Sequence, residues 1–534
     1  MFYDNYKANE YDFSECSSKG TCSVSPNVSS IQEIILVLIR GIAHYLKKLK
    51  RLSNTFPTIE AETLHALSEF ISVAEYTDDE VFAMLLKLNK NFNNLQRQYS
   101  AICKKKNINC SENIEFINLD NVSTLSGIIA MGEKLYLKRI SKLTTEEKFY
   151  CDILLLNLKS LSINILKLAD YSIINQKAID KVIDALDLYN FTKFPVEKVE
   201  DAIKSLAGCE NEILKERAQI QQETFGEINK TVVSTSSRRN KAVLVSGSSL
   251  IDLYKFLEYT KDEENLDVYS HGDLLIAHAF KKFKEFKHFV GHYGTSNENC
   301  IFDFATFPGA ILLTKHSKQN IEHLIRGRIF TMDTVQPKGA IKVTPDEFGK
   351  IVESARLAKG FNKGQIRNDV ITGFNETELD EQINIIHEKL VNKDIKRLLI
   401  IGMSAKSTLQ EIYLNDIIKY LSNDTYIVSF SKINTDKEHL EINIANNFPL
   451  LHTIMDKLLQ KINLSDNNLR FFLQKCDPNT ISVIVQMKIY GAKRIMIANC
   501  SPNIMNPAIL TMFAEKYNID LITTPKLDAE TLEK

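Results

Sequence analysis

The feature that most constrains the fold is a pair of long apolar stripes in the first half of the 534-residue chain. In each stripe apolar residues recur every three or four positions, which is the spacing of one face of an α-helix. The first stripe occupies residues 31–49 and the second residues 153–168, and the two superpose with a shift of 119 residues. This pattern predicts a helical bundle domain over residues 1–230 that contains a duplicated helical unit.

The pattern changes after a polar segment at residues 231–240. Short β-type runs that end in glycine turns follow, and they predict a middle α/β domain over residues 241–376. From residue 377 to 534 the alternation of strands with helices is clearer and implies a parallel sheet covered on both faces. The predicted fold is therefore an α plus α/β multidomain protein, with an N-terminal helical bundle followed by two Rossmann-like α/β domains.

Charge and hydropathy narrow the range of partners. The chain has 66 basic and 67 acidic residues, so no global field favours nucleic acid or an anionic membrane. The apolar run Ile34–Ile39 is far shorter than the roughly 20 residues that span a bilayer. The start of the sequence lacks the basic and apolar regions of a signal peptide. We predict a cytoplasmic protein that binds neither nucleic acid nor membrane.

The nine cysteines do not form a recognisable framework. An odd number scattered over a long chain is not typical of a disulfide scaffold. The close pairs Cys16/Cys22 and Cys103/Cys110 also lack the CxxC spacing of common zinc and iron–sulfur sites. Spacing alone therefore favours single free thiols.

Five turn-rich motifs lie between residues 246 and 331. They are Ser246-Gly247, Ser270-His271-Gly272-Asp273, Gly291-His292-Tyr293-Gly294, Phe307-Pro308-Gly309 and Arg328-Ile329-Phe330-Thr331. In order and spacing they resemble the middle domain of the hybrid cluster (prismane) protein family. The resemblance extends over nearly the whole chain, with Gln474-Lys475 and Gly491 as further matching positions.

The resemblance implies a three-domain protein with two metal centres. A cubane-type iron–sulfur cluster lies near the N-terminus of the family's members, and a hybrid iron–sulfur–oxygen cluster lies where their domains meet. The associated activity is reduction of hydroxylamine or nitric oxide. Such clusters require thiolates and imidazole for iron, with carboxylates for the oxygen-bridged irons.

Only two of the four N-terminal cluster positions carry a cysteine. The family opens with a CxxC pair, and here Tyr3 and Tyr6 stand at those positions. Cys16 and Cys22 match the next two cysteines. Two thiolates do not complete a four-cysteine site. A cluster shared across a dimer and a labile disulfide remain as alternatives for this pair.

The hybrid-cluster positions have lost the family's ligands almost completely. Serines and lysines stand where the resemblance implies a histidine and cysteines, and a protonated lysine has no lone pair for a metal. Asp273 replaces one glutamate and keeps a carboxylate, whereas Leu473 replaces another glutamate. The seven positions are Ser248, Asp273, Ser317, Ser404, Lys432, Lys457 and Leu473. We predict no catalytic residue and no metal ligand among them.

Two hypotheses concern what replaced the cluster. Lys432 and Lys457 are predicted to point toward the former cluster cavity, where burial would require Asp273 or Asp456 as a partner and Leu473 as an apolar plug. A variant of this hypothesis has the lysines binding a small anion.

Other residues admit a binding and a structural interpretation. His271, Asp273, His278, His292 and His316 could form a mononuclear metal site or could hold the inherited turns by hydrogen bonds. The run 281–287 (KKFKEFK) favours a solvated face with its phenylalanines turned inward over a surface for single-stranded nucleic acid.

The sequence therefore predicts a chain of hybrid cluster protein type that has lost iron–sulfur cluster binding. We expect a non-catalytic structural or partner-binding protein with no cofactor, whose partner is an unknown protein or a second copy of the chain. The alternative is an oxidoreductase of the hydroxylamine or nitric oxide reductase type, with an iron–sulfur cluster at an unconventional or residual metal site.

Overall fold

The structure is a computed structural model. It describes residues 26–70, 78–107, 109, 119, 124–190, 194–294, 300–316, 327–333, 339–402, 408–462, 468–474, 476–498, 505 and 507–534.

Long helices make up the first part of the chain. They are α1 (Pro26–Lys50), α2 (Pro57–His65), α3 (Asp78–Lys106), α4 (Leu125–Lys142), α5 (Thr145–Ala169), α6 (Gln176–Asp187) and α7 (Val196–Phe225). A five-residue π-helical segment, Ala66–Phe70, follows α2.

The helix boundaries repeat at the interval found in the sequence. Helices α1 and α5 are both 25 residues long and start 119 residues apart. Helix α6 begins 119 residues after α2, and α7 ends 119 residues after α3. The same order of a long, a short and a long helix is thus present twice. Local signals fix these boundaries, since a capping box of Thr144 with Glu147 starts α5 and the Asn175 side chain caps α6.

Helix α5 is buried over most of its length. Among the described residues it alone is long and apolar enough to cross a membrane by length and composition, but 94% of its apolar window is buried inside the protein. A helix that is apolar on all sides and covered by its neighbours is typical of a bundle core.

Strands appear after α7, in the order β1 (Thr231–Val233), β2 (Lys241–Ser246), α8 (Leu250–Thr260), β3 (Leu266–His271), β4 (Phe289–His292), α9 (Cys300–Thr306), β5 (Ala310–Leu313), β6 (Ile329–Thr331), β7 (Ile341–Lys342), α10 (Phe348–Leu357) and β8 (Val370–Thr372). Six of them form a parallel sheet in the order β4-β3-β2-β5-β6-β7. Strands β1 and β8 pair antiparallel as a separate two-stranded sheet.

The last part of the chain repeats this topology. Its elements are α11 (Glu376–Val391), β9 (Arg397–Gly402), α12 (Thr408–Tyr420), β10 (Thr425–Ser429), β11 (His439–Glu441), α13 (Phe448–Lys461), β12 (Leu469–Leu473), α14 (Pro478–Ile489), β13 (Arg494–Ile497), α15 (Pro507–Tyr517), β14 (Asp520–Leu521) and α16 (Pro525–Glu533). The strand order is β11-β10-β9-β12-β13-β14, and every pair is parallel.

Both six-stranded sheets have the doubly wound order of a Rossmann fold. In each, the chain first adds strands on one side of the first strand and then reverses to the other side, at β2/β5 and at β9/β12. The predicted fold class, helical bundle followed by two Rossmann-like α/β regions, is confirmed. Ligands of such sheets bind at the carboxyl ends of the strands beside the reversal.

The described residues group into two compact units. One contains those up to residue 213 together with 476–489 and 505–517, and the other contains 214–474, 490–498 and 518–534. Helices α14 and α15 therefore belong with the N-terminal helices although they follow strands of the second sheet. The division of the chain at 1–230, 241–376 and 377–534 stays a prediction.

The cysteines of the described residues fall into two groups. Cys151, Cys209 and Cys300 are free and buried. Cys103 and Cys476 are disulfide-bonded. The prediction of single free thiols is therefore wrong for these two residues.

The run 281–287 has the predicted solvated arrangement. Phe283 and Phe286 are buried, whereas the four lysines of the run are exposed. Phe283 lies 5.0 Å from the ring of Phe225 at the end of α7, in an aromatic cluster that also includes Phe280 and Tyr254. The aromatic rings are used for packing and are not available for base stacking.

Candidate functional site

Four of the predicted hybrid-cluster positions that the structure describes lie at or just after the carboxyl end of a strand. Ser248 follows β2 and Asp273 follows β3, while Lys432 follows β10 and Leu473 ends β12. In the sequence, Ser317 comes after β5 and Ser404 after β9. These are the strand ends at and beside the two reversals of strand order, where doubly wound sheets bind ligands.

A contact through Asp273 links the two carboxyl edges. This residue is half-buried in the first turn of a 3₁₀ helix, Gly272–Ala279. Its Oδ1 atom accepts a hydrogen bond of 3.2 Å from Nδ2 of Asn446, which lies between β11 and α13. The backbone around Asn446 is unusual, because Ala445 and Asn446 both have positive φ angles.

A small cavity lies beside this contact. Its walls are mainly apolar and include Phe430, which directly follows β10, and Phe448, which begins α13. The remaining walls come from Ile444, Asn446 and Leu451. The cavity measures about 10 Å³, which is room for about one water molecule.

A Ser–His–Asp row lies at the carboxyl edge of the first sheet. The Ser246 hydroxyl is 2.8 Å from Nδ1 of His271, and Nε2 of His271 is 3.2 Å from Oδ2 of Asp303 on α9. Ser246 and His271 are completely buried. A nucleophilic serine must reach its substrate, so this row serves to hold the strand ends and not to cleave a bond.

A second hydrogen-bonded group joins two further histidines. The Ser270 hydroxyl is 2.9 Å from Nε2 of His278 and 2.9 Å from Nδ1 of His292. His278 stacks on Phe289 with ring centroids 3.9 Å apart. Burial is the main cause that lowers the pKa of His278, to about 3, so this imidazole is neutral at physiological pH.

These contacts favour the structural interpretation of the histidines. His271, His278 and His292 each bond to a serine hydroxyl, and Asp273 bonds to Asn446. Within the part of the chain that the structure describes, no group of three His, Cys, Asp or Glu side chains is placed to hold a metal ion.

Replacing Gly294 with alanine is expected to lower the free energy of unfolding by about 2 kcal/mol. Gly294 has a φ of +85°, and an added Cβ would lie 2.5 Å from Oδ2 of Asp303 and 2.8 Å from Cδ2 of His271. Urea unfolding followed by circular dichroism measures the change.

The control is Gly208→Ala, because a Cβ at this helical glycine meets no atom within 4 Å. It is expected to raise the free energy of unfolding by about 0.5–1 kcal/mol. Equal effects of the two substitutions would contradict the close approach of Gly294 to the His271–Asp303 pair.

The prediction that Lys432 is buried with a carboxylate partner is wrong. Lys432 is exposed, and no carboxylate of the described residues lies within 4 Å of it. Phe430, two residues earlier, lines the cavity instead, and Ser431 is buried with its hydroxyl accepting from Gln474. An ammonium group loses hydration when buried without a partner, so the chain turns Lys432 to solvent.

Lys457 is paired, but not with either predicted aspartate. It lies on α13, and its Nζ atom is 2.7 Å from Oε1 of Glu376 and 3.0 Å from Oδ1 of Asp380, both at the start of α11. Burial alone would lower the pKa of Lys457, but the bonds to these carboxylates outweigh it and raise the pKa. Asp456 pairs with Lys215. The hypothesis of a buried Lys–Asp network is thus wrong for Lys457 as well.

Of the other predicted positions, the structure describes Leu473 and Ser248. Leu473 is buried at the end of β12, against Gly402 at the end of β9, and its role as an apolar plug stays a prediction. Ser248 is half-buried in the turn after β2. Ser317, Ser404, Tyr3, Tyr6, Cys16 and Cys22 lie outside the described residues.

The donor set at these strand ends does not fit a hybrid iron–sulfur–oxygen cluster. Between residues 214 and 475 the sequence contains a single cysteine, Cys300. That residue is buried on α9 in an apolar cluster with Phe304 and Tyr293. Iron–sulfur clusters are held by several thiolates. The described strand ends offer hydroxyl, imidazole, phenyl and aliphatic groups and the single carboxylate of Asp273. Cys476, three residues after β12, is disulfide-bonded.

Sequence reasoning missed three residues that shape this site. Asp303 and Asn446 are contact partners of His271 and Asp273, at separations of 32 and 173 residues along the chain. In the sequence Phe430 has the pattern of the last residue of an apolar strand. None of the three has a local sequence signal for its role.

Comparison with known proteins gives consistent matches. The model of the family described as Prismane/CO dehydrogenase family matches residues 12–441. A hydroxylamine reductase of Solidesulfovibrio magneticus is 24% identical over 97% of both chains. A hydroxylamine reductase of Methanocella arvoryzae is 25% identical over 58% of this chain and 59% of its own length.

A solved structure also resembles the chain. It is titled as showing NiZn[Fe4S4] and NiNi[Fe4S4] clusters in alpha subunits of acetyl-CoA synthase/carbon monoxide dehydrogenase. The TM-score is 0.47 at 10% identity, and the match covers 98% of this chain and 84% of that one.

Proposed function

This chain belongs to the Prismane/CO dehydrogenase family, and we propose that it has kept the family's fold without binding the hybrid cluster. In this proposal it is a non-catalytic structural or partner-binding protein. It acts in the cytoplasm, without a cofactor, on an unidentified protein partner or on a second copy of itself.

One observation carries the proposal, namely the chemistry at the carboxyl ends of the two sheets. The strand ends present Ser246, His271, Phe430 and Leu473, and Cys300 is the one cysteine between residues 214 and 475. The cavity beside Asp273 has room for about one water molecule. The ligands that these strand ends offer do not suit a cluster of several iron and sulfur atoms.

A second candidate is an oxidoreductase of the hydroxylamine reductase type with an unconventional metal site. Two relatives are named hydroxylamine reductase. Asp273 also keeps a half-buried carboxylate at the carboxyl edge of the first sheet. This candidate requires metal ligands from residues that do not match the family's pattern.

Anaerobic purification followed by iron and sulfide analysis separates the two. We expect a colourless protein with less than about 0.1 iron per chain. With reduced methyl viologen as electron donor, hydroxylamine is expected to disappear no faster than in buffer. The reductase of Solidesulfovibrio magneticus, purified in parallel, is the control for cluster assembly.

A brown protein with about four or more irons per chain would overturn the proposal. In that case Asp273→Asn is expected to lower the iron content and the activity together.

A further inference from the structure

Two antiparallel segments form an exposed surface that the family's chemistry does not use. We call residues 235–241 and 357–368 the basic ribbon. Ser237 and Gln365 exchange two backbone hydrogen bonds of 3.0 Å, and Phe361 donates to the carbonyl of Asn240 at 2.9 Å. The backbones approach closely at Gly360, where an added Cβ would lie 2.6 Å from the carbonyl oxygen of Asn240. The ribbon is therefore a built structure with a fixed backbone.

Side chains add further bonds along the ribbon. The Thr235 hydroxyl donates to the carbonyl of Asn368 at 2.8 Å, and the backbone N–H of Arg367 donates to the Ser236 hydroxyl at 3.0 Å. Such cross-links keep the outer side chains of the ribbon in place.

Most of the positive charge on the ribbon has no carboxylate partner among the described residues. Its two segments contain six Lys and Arg residues and no Asp or Glu. Arg238 bonds to Asp267, and Lys241 donates to the carbonyl of Ala358. The other four cations are Arg239, Lys359, Lys363 and Arg367. All four are exposed, and no carboxylate of the described residues lies within 4 Å of them.

The ribbon also carries exposed aliphatic side chains. Ile366 is 98% exposed and Leu357 is 83% exposed, and these are the two most exposed large apolar side chains of the described residues. Isolated exposed apolar residues are normal on a protein surface. Leu357 lies two residues before Lys359, and Ile366 directly precedes Arg367. Exposed apolar side chains beside exposed cations are typical of an interaction surface.

We infer that the basic ribbon is a docking surface for an acidic protein segment that carries aliphatic side chains. The cations require a partner of opposite charge. Ile366 and Leu357 require apolar contacts, which a protein segment provides at the same time.

Two other polyanions fit less well. Proteins that bind single-stranded nucleic acid stack bases on aromatic rings, and the exposed apolar side chains here are aliphatic. Membrane attachment needs more apolar surface, since even a full myristoyl chain gives only marginal binding. An acidic protein segment matches both the charge and the small apolar area.

This docking role rests on the proposed function, in which the chain binds a protein partner. The probe is a fluorescein-labelled peptide of about 12 residues with the repeat Glu-Glu-Leu. Fluorescence anisotropy is expected to give a Kd on the order of 10 μM at low salt, weakening as salt rises.

Two variants of the full chain test the surface. R239E/K359E/K363E reverses three of the uncompensated cations and is expected to weaken the peptide at least about tenfold. L357S/I366S removes the aliphatic contacts without changing the charge and is expected to weaken it about tenfold.

The matched control is K282E/K287E/K526E, because these three lysines are also exposed and have no ion pair with the described residues. It changes the net charge by the same amount and is expected to change the Kd by less than about twofold. Thermal unfolding of each variant confirms that the fold is intact.

An equal loss of peptide affinity in the control variant would overturn the inference, because binding would then depend on net charge alone. Tighter, ribbon-dependent binding of vesicles with anionic lipid, or of a single-stranded oligonucleotide, would overturn it in favour of those partners. Iron analysis of the same preparations tests the proposed function separately. Iron without loss of peptide binding refutes only the proposed function, and absence of iron without peptide binding refutes only the docking.

Discussion

Replacing Arg238 with methionine is expected to lower the free energy of unfolding by about 3 kcal/mol, because it leaves a buried carboxylate without its cation. Asp267, at the start of β3, is 1% exposed. Arg238 binds it through two parallel hydrogen bonds, Nε to Oδ2 at 2.7 Å and Nη2 to Oδ1 at 2.6 Å. The bond to Asp267 raises the pKa of Arg238, as expected of a bidentate pair.

The expected loss lies at the lower end of the range for buried ion pairs. The guanidinium is itself partly exposed, so water already shares in its solvation. Asn240 also donates to Oδ1 of Asp267 at 2.9 Å and remains in the variant. Methionine keeps the apolar stem in place, so that the loss reports mainly on the charge.

Urea unfolding at neutral pH measures this effect, with Arg239→Met as the control. Arg239 is the adjacent residue, is exposed and has no ion pair with the described residues. Its replacement is expected to change the free energy of unfolding by less than about 0.5 kcal/mol. The double variant R238M/D267N is expected to recover at least half of the loss, because a neutral amide is less costly to bury than a carboxylate. Similar small effects of both arginine substitutions would refute the assignment.

Much of the fold follows from local sequence patterns. The repeat of α1 and α5 at an interval of 119 residues was visible in the apolar stripes, since helical periodicity is a local property. The strands β9 and β10 also lie in the region 377–534, where the sequence predicted strands alternating with helices. Each is a short apolar run between turn residues, which is the ordinary signal of a buried parallel strand.

Other strands could not be predicted from pattern. Strand β3 has the sequence LDVYSH and is buried along its whole length, although three of its residues are polar. Asp267, Ser270 and His271 are buried because Arg238, His278 and Ser246 satisfy them. Such partners come from other elements and leave no trace in the strand's own sequence.

The candidate site was predictable in place but not in detail. Its positions at the strand ends follow from the order of the motifs. The side chain that lines the cavity is set by a difference of one or two residues after β10. Phe430 lines the cavity, whereas Lys432 is exposed to solvent. The same holds for Asp273, whose partner Asn446 lies 173 residues away.

A pH-dependent stability is expected from Glu210 in the helical unit. This carboxyl group lies on α7 and is 2% exposed. Its Oε1 atom accepts from the Ser160 hydroxyl at 2.5 Å and from Nδ2 of Asn164 at 2.7 Å, both on α5. Its Oε2 atom accepts from the Ser482 hydroxyl on α14. Burial is the main cause that raises the pKa of Glu210 to about 7, and these hydrogen bonds only partly oppose it.

The sign of the effect follows from comparing folded and unfolded chains. The pKa of Glu210 is 4.5 in the unfolded chain and about 7 in the folded chain. At pH values between these two, Glu210 is protonated in the folded chain and ionised in the unfolded chain. Stability from this group is therefore full below pH 4.5 and is lost as pH rises to 7. The loss amounts to about 3 kcal/mol, since one pKa unit corresponds to about 1.4 kcal/mol.

Glu210→Gln removes this titration and keeps a side chain of the same shape. The free energy of unfolding of the variant, relative to the unaltered chain, is expected to rise by about 3 kcal/mol between pH 4.5 and pH 8. Urea unfolding at both pH values gives the difference directly.

Glu212→Gln on the same helix is the control, because the Glu212 side chain is 63% exposed and, among the described residues, pairs with an exposed Lys177. Its effect is expected to stay within about 0.5 kcal/mol at both pH values. A constant gap between Glu210→Gln and the unaltered chain would mean that Glu210 is ionised throughout, with its three donors outweighing burial. The titrating group is Glu210, which joins α5, α7 and α14, if the stability difference between Glu210→Gln and the unaltered chain widens with pH while Glu212→Gln has no effect.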